Sequence, residues 1–247
     1  MLPDSLTLLK QAWEIYRKRL LVFLGIMAFP FFAPSLLVSV FAGRILGFRT
    51  ESLTSLSFGI LLIVVALIAI SFFIHLWSWV ALLRAIQGRE ENIGIKESYR
   101  RGWNKIIPYL WVSLLSGFIT MVGFVFLFIP GLIFLIWFSF ASYVLVCEDK
   151  RGWEALMASK EYIRRNWWKV VWRFIFVVLI AWLFFYLLNT ISNLISAPGS
   201  RSFLSYINYA FLTPMVTIYF FLIYENLKKI NSVDSAGSAI QNLELKK

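Results

Sequence analysis

The chain has 247 residues, of which 60% are hydrophobic and 15% charged, with a net charge of +11. An ordinary soluble domain is roughly 25% charged, so the composition argues against a basic soluble nucleic-acid module and makes anionic lipid the expected polyanion. The single cysteine (Cys147) and single histidine (His75) exclude an intramolecular disulfide, a multi-cysteine metal site and a histidine cluster, and no metal or cofactor is expected.

The first predicted element is an amphipathic helix. In SLTLLKQAWEIYRKRL, Leu8, Leu9, Ala12, Trp13 and Tyr16 share one face, and Lys10, Gln11, Glu14, Arg17 and Lys18 cover the other. Asp4 or Ser5 stands where a cap belongs. Such a helix either lays its apolar face among acyl chains or packs it on a helical bundle.

Six apolar segments follow: Leu20–Gly43, Ser57–Leu83, Ile106–Phe128, Gly131–Cys147, Val170–Ile195 and Leu204–Tyr224. A helix needs about 20 mainly apolar residues to cross a bilayer core. The triplet VFA at Val40–Ala42 has the form of a cleavage site. The run before it is longer than the about 7–15 residues of a signal sequence and contains Pro30 and Pro34, so it is read as a retained span. The second segment exits through Trp77, Trp79 and Arg84, as suits an interface. Segments three and four are divided by FIPGL, in which Pro130-Gly131 fits the centre of a tight turn. One long broken helix is the other arrangement that fits. After Lys229 the chain is polar and short, and residues 230–247 read as a disordered tail beyond a membrane domain of residues 1–229.

Twenty of the 24 lysines and arginines fall in the amino-terminal segment, the linkers after segments two and four, and the tail. Arg44, Arg49 and Arg201 lie on the other side, and Arg173 lies inside segment five. The positive-inside rule then places both termini in the cytoplasm, with the protein multi-pass in the cytoplasmic membrane. Six spans satisfy that parity.

One pattern occurs three times. EIYRKRLLVF, ESYRRGWNKII and EYIRRNWWKVV each run from an acid through tyrosine and adjacent cations into an apolar segment. Either the chain repeats a hairpin unit, or each outward span needs the same cationic, aromatic anchor. The candidate headgroup-binding residues are Arg17 and Lys18 in the first collar, and Arg100, Arg101, Trp103 and Lys105 in the second. In the third they are Arg164, Arg165, Trp167, Trp168 and Lys169. Cations hold phosphates there, and tryptophans set the depth of insertion.

None of the thirteen acids lies within a predicted span. Glu90-Glu91 and Glu148-Asp149 read as solvated charges beside the collars. At membrane depth Ser71, His75 and Ser78 share one helical face, either as a small polar path or as interhelical hydrogen bonding. Small residues at Ser113, Ser116, Gly117 and Thr120 suit close helix packing, and Asn189, Asn193 and Asn208 fall at one level. No nucleophile with its base, carboxylate pair or metal set stands out, so a non-enzyme is expected.

The stretch FIPGLIFLIWFSFASYVLVCEDKRGWEALMASKEYIRRNWWKVVW resembles the bacterial membrane-domain family found fused to glycerophosphodiester phosphodiesterases, and related uncharacterised six-helix envelope proteins. The shared features are the Pro-Gly before an apolar helix, the acid at its end, Ala155-Leu156 with Ser159, and the aromatic-basic entrance to the next span. LLKQAWEIYRKRLLVFLGI and TPMVTIYFFLIYENLKK are similar to the same group. Cys147 departs from it, standing where an aliphatic residue commonly precedes the acid. The resemblance implies a six-helix fold and a membrane address. It implies no phosphodiesterase activity, which belongs to a separate soluble domain in the fused proteins.

The expected protein is therefore all-α: a polytopic helical bundle with basic amphipathic helices on the cytoplasmic side. Its expected role is to engage anionic lipid, or an envelope protein partner or second copy, through that cationic face. A transporter or lipid-translocating protein is one alternative, and an accessory subunit of a membrane complex is another. No nucleic acid is expected as a partner.

Overall fold

The computed structural model describes residues 2–32, 53–195 and 201–244. Every regular element among them is a helix. Five helices are long and apolar enough to cross a membrane: Leu61–Gln87, Ile95–Phe126, Phe128–Glu148, Trp167–Ile191 and Ile207–Val233. Their outer faces are greasy, with Phe118, Val125, Trp172 and Trp182 all more than 60% exposed. Water tolerates few contiguous apolar surfaces of this kind, whereas lipid is their natural solvent.

The chain forms two compact units. One comprises Met1–Leu20 with Ile107–Lys247, and the other Leu21–Ile106.

The smaller unit contains α2 (Leu20–Phe32, apart from its first residue), α3 (Leu53–Gln87) and α4 (Ile95–Gly102). α2 is apolar but rises only about 20 Å, short of a full crossing. The rest of the first predicted span lies outside the described residues. α3 contains all of the second predicted span. After α4 the chain tightens into a 3₁₀ turn at Trp103–Lys105. Pro108 accounts for the break: its ring would strike the carbonyl of Asn104 if the α-helix continued.

The larger unit contains α1 (Ser5–Lys18), α5 (Ile106–Phe126, less its first residue), α6 (Phe128–Phe138), α7 (Ala141–Glu148), α8 (Trp153–Arg164), α9 (Trp167–Ile195) and α10 (Arg201–Glu244). α1 packs along α10 and touches α9. Leu8, Ala12 and Tyr16 of its apolar stripe are fully buried. Part of the apolar stripe thus packs on the bundle, while Leu6 and Trp13 stay exposed. Burial pushes the Tyr16 phenol up to about 12.

The expected turn at Pro130-Gly131 is displaced. Leu127 alone is extended (φ −158°, ψ 137°), and Pro130 sits inside the first turn of α6. A proline clashes with the carbonyl four residues earlier, here Phe126, the last residue of α5. The two helices then fold back at Gly123 and Gly131. A Cβ on Gly123 would lie 3.0 Å from the Gly131 Cα, and one on Gly131 would lie 2.8 Å from the Phe124 nitrogen. Only hydrogen atoms fit between these backbones.

The fourth predicted span is two helices, broken at Ser139 and Phe140. Ser159, fully buried on α8, bridges the break. Its hydroxyl donates to the Trp137 carbonyl at 2.6 Å and accepts from the Phe140 amide at 3.2 Å. Both groups would otherwise be orphaned where the helix ends. α7 closes on Asp149 in the left-handed region (φ 61°), and α8 begins after Gly152 (φ 52°). α10 contains the sixth predicted span and continues through the polar stretch to Glu244, where the sequence suggests at most a weak helical turn.

Candidate functional site

Each of the three collars is the end of a short helix. Arg17-Lys18 close α1, Arg100-Arg101 close α4, and Arg164 with Arg165 close α8. The carboxyl end of a helix carries partial negative charge, which favours cations there. Each helix then breaks, at Arg19, at Trp103–Lys105 and at Arg165-Asn166, before an apolar helix begins. All six cations are exposed. The residue just before each pair points inward: Tyr16 and Ile163 are fully buried, and Tyr99 is half-buried.

The second collar is tied down within its own unit. Tyr99 donates to the Ile26 carbonyl at 2.9 Å and sits 2.8 Å from the Ser78 hydroxyl. Trp77 donates to the Tyr99 carbonyl at 2.9 Å. Trp103 is half-exposed and meets Trp77 edge-to-face at 4.9 Å. Arg101 pairs with Glu91 at 2.6 Å and Glu97 at 2.7 Å, while Arg100 pairs with Glu97 at 2.8 Å. Glu91 stays exposed beside the collar, as expected of Glu90-Glu91, and holds Arg101 there. Lys105 is only 7% exposed, so it does not present its ammonium group to a surface as its neighbours do.

In the third collar Trp167 packs edge-to-face on Trp168 at 4.7 Å, and Trp168 is 70% exposed. Among the described residues no ion pair involves Arg17, Lys18, Arg164 or Lys169.

The Ser71 hydroxyl donates to its own helix at Leu67 (2.7 Å), and Ser78 is engaged with Tyr99. His75 lies half-buried against the edge of Trp79, 6.5 Å between ring centroids. Asn189 likewise donates to its own helix at Phe185. The side chain of Asn193 lies outside the described residues.

The densest polar arrangement was not anticipated. Glu148, read from sequence as a solvated charge, has a side chain only 10% exposed. Tyr162 of α8 donates to its carboxylate, 2.9 Å from either oxygen, and Tyr224 of α10 donates at 2.6 Å. Lys150 lies at 2.9 Å and Lys228 at 3.4 Å. Burial, and then the bond to Glu148, push the Tyr162 phenol above its ordinary range. With its oxygens filled this way, the carboxylate pins α7, α8 and α10 together. Neither tyrosine is near Glu148 in sequence, so nothing local marked the junction. The only hint was the shared pattern of an acid followed by Ala155-Leu156 and Ser159.

Among the described residues no three His, Cys, Asp or Glu side chains gather as a metal would require. A family model described as a domain of unknown function, DUF7847, matches residues 108–224, which hold Glu148, Ser159, Tyr162 and Tyr224. That match carries no link to a phosphodiesterase-associated membrane domain. No curated protein and no solved structure matches the chain.

Proposed function

We propose that this chain is a non-catalytic, six-span protein of the cytoplasmic membrane, with both termini cytoplasmic, whose collars hold anionic lipid headgroups. The observation that carries this reading is the exposure of Arg17, Lys18, Arg164 and Lys169 with no carboxylate on them among the described residues. A cation near an anionic leaflet contributes about 1 kcal/mol, so Arg164 and Lys169 together supply roughly 2 kcal/mol, on the order of thirtyfold in lipid preference before screening. The second collar contributes less, because its arginines already have glutamates. The five helices long and apolar enough to cross a membrane support the same membrane address.

The test is lipid retention by purified protein in mixed-lipid nanodiscs at low and high salt. Wild type should enrich anionic lipid, and both salt and Arg164→Gln/Arg165→Gln/Lys169→Gln should weaken the enrichment. An inserted triple variant with the wild-type lipid profile would reduce the collar to a topology signal.

A further inference from the structure

We infer that the larger unit seats one acyl chain of an anionic phospholipid in the cleft between α1, α9 and α10. This rests on the headgroup reading above but uses different residues.

The cleft has a volume of about 280 Å³. Leu9 and Trp13 of α1 form one wall, Ala181 and Phe184 of α9 the floor, and Phe211 and Met215 of α10 the other wall. The lining is apolar throughout, and the cleft is open along one side. From Val177 to Phe184 it runs roughly 10 Å along α9. In a bilayer such a slot is filled by hydrocarbon, since water gains no partners there.

Arg173 makes the occupant anionic. It lies one turn before Val177 on the same stripe of α9 as Ile180 and Phe184, toward the basic linker. It is the one cation that the inside–outside pattern leaves over, within a run otherwise free of charge as far as Ile195. Its guanidinium donates to three carbonyls: Leu2 at 3.1 Å, Pro3 at 3.1 Å from Nε and 2.5 Å from Nη2, and Lys169 at 2.8 Å. Among the described residues no carboxylate pairs with it. These bonds fix the group without neutralising it. A cation with no carboxylate in contact, at the end of an apolar slot, is complementary to a lipid whose phosphate sits at the slot's mouth.

The experiment uses full-length protein in nanodiscs containing either a phosphatidylglycerol or a phosphatidylcholine with a photoreactive diazirine in its acyl chain. Crosslinked peptides are mapped by mass spectrometry. Labelling should concentrate on Val177, Ile180, Ala181, Phe184, Phe211 and Met215, over the lipid-facing Trp182 and Leu183, and the anionic probe should exceed the zwitterionic one by roughly fivefold. Ala181→Trp should abolish cleft labelling. Ala181→Leu, a smaller intrusion, should reduce it if the tryptophan variant does not fold. Arg173→Gln should equalise the two probes while the cleft is still labelled. Arg164→Gln/Arg165→Gln/Lys169→Gln should leave cleft labelling intact, so loss of the collar effect alone overturns only the headgroup reading. Uniform labelling of all lipid-facing residues, equal labelling of wild type by the two probes, or unchanged labelling in folded Ala181 variants overturns the seat.

Discussion

Tyr224 donates a 2.6 Å hydrogen bond to Glu148 across 76 positions of the chain. Tyr162 donates to the same carboxylate from α8, so one acid joins the ends of three helices. The two lysines on it are about half-exposed, and such pairs contribute roughly 0–1 kcal/mol once solvent screening is counted. The tyrosine bonds to a shielded charge are the stronger part, at about 1.5–3 kcal/mol each.

Replacing Glu148 by alanine should therefore destabilise the larger unit by about 3 kcal/mol, since two phenols lose their acceptor together. In detergent this should lower the melting temperature by roughly 6–10 °C. Lys228→Ala should cost under about 1 kcal/mol. Equal effects of the two substitutions would show that the ion pair, and not the tyrosine bonds, holds the junction.

The Tyr162 phenol makes the same junction sensitive to alkali. Its pKa in the folded chain is raised, first by burial and then by the bond to Glu148. An unfolded tyrosine titrates near about 10, so this group's contribution is full below about pH 10 and is lost progressively as pH rises above it. Melting curves of wild type and Tyr162→Phe should run parallel from about pH 7 to 9 and converge above about pH 10. Curves that stay parallel to the highest pH would remove Tyr162 from the linkage.

Ser159 gives a test that does not depend on charge. Alanine there leaves the Trp137 carbonyl and the Phe140 amide without their hydroxyl partner, at a cost of about 1–3 kcal/mol. Hydrogen exchange should quicken at Phe140 and in the first turn of α7, while α9 keeps its protection. A threonine keeps the hydroxyl and should restore the slow exchange. Faster exchange throughout would instead mean a general packing defect.

How much of this was legible differs from residue to residue. The apolar runs identified most of the spanning helices, because bilayer thickness imposes length and composition directly. Pro108 and Pro130 fall where helices break, and both are visible in sequence. Pro130 was assigned to a turn because Pro-Gly is a common turn centre, whereas here the proline tolerates the first helical turn and Gly131 serves a close helix contact. The break at Ser139-Phe140 carries no proline or glycine, and Ser159, which bridges it, is some twenty residues away. Glu148 looked solvated because its chain neighbours are Asp149, Lys150 and Arg151, while the residues that enclose it come from α8 and α10. Local composition reports immersion in lipid; it does not report which distant side chains converge.

The Gly123–Gly131 contact should tolerate no side chain. Gly131→Ala would place a carbon 2.8 Å from the Phe124 nitrogen, a backbone atom that cannot turn aside. Overpacking of this kind costs about 1–3 kcal/mol. Gly117 has nothing within 4 Å of where a Cβ would stand, so Gly117→Ala is the matched control and should melt like wild type. If Gly131→Ala melts with it, the α5–α6 hairpin is looser than the contact implies.

The proposed topology turns on parity. The linker after α3 and the linker after α7 are both basic, and two spanning helices separate them. Two more separate the second linker from the stretch after Lys229, so the proposed topology puts all three on one side. The cations of α1 join them only if the chain crosses once between Arg19 and Leu53. α2 begins that crossing with thirteen apolar residues, and APSLLVSVFAG continues it in sequence. Without this crossing, Lys10, Arg17, Lys18 and Arg19 would face outward against the positive-inside rule. Reporters fused at the amino terminus and after Lys229 should therefore report one compartment, and a reporter placed within Arg44–Ser55 the other. If the amino-terminal fusion sides with the Arg44–Ser55 insertion, only five spans exist, and α1 cannot share a leaflet with the other two collars.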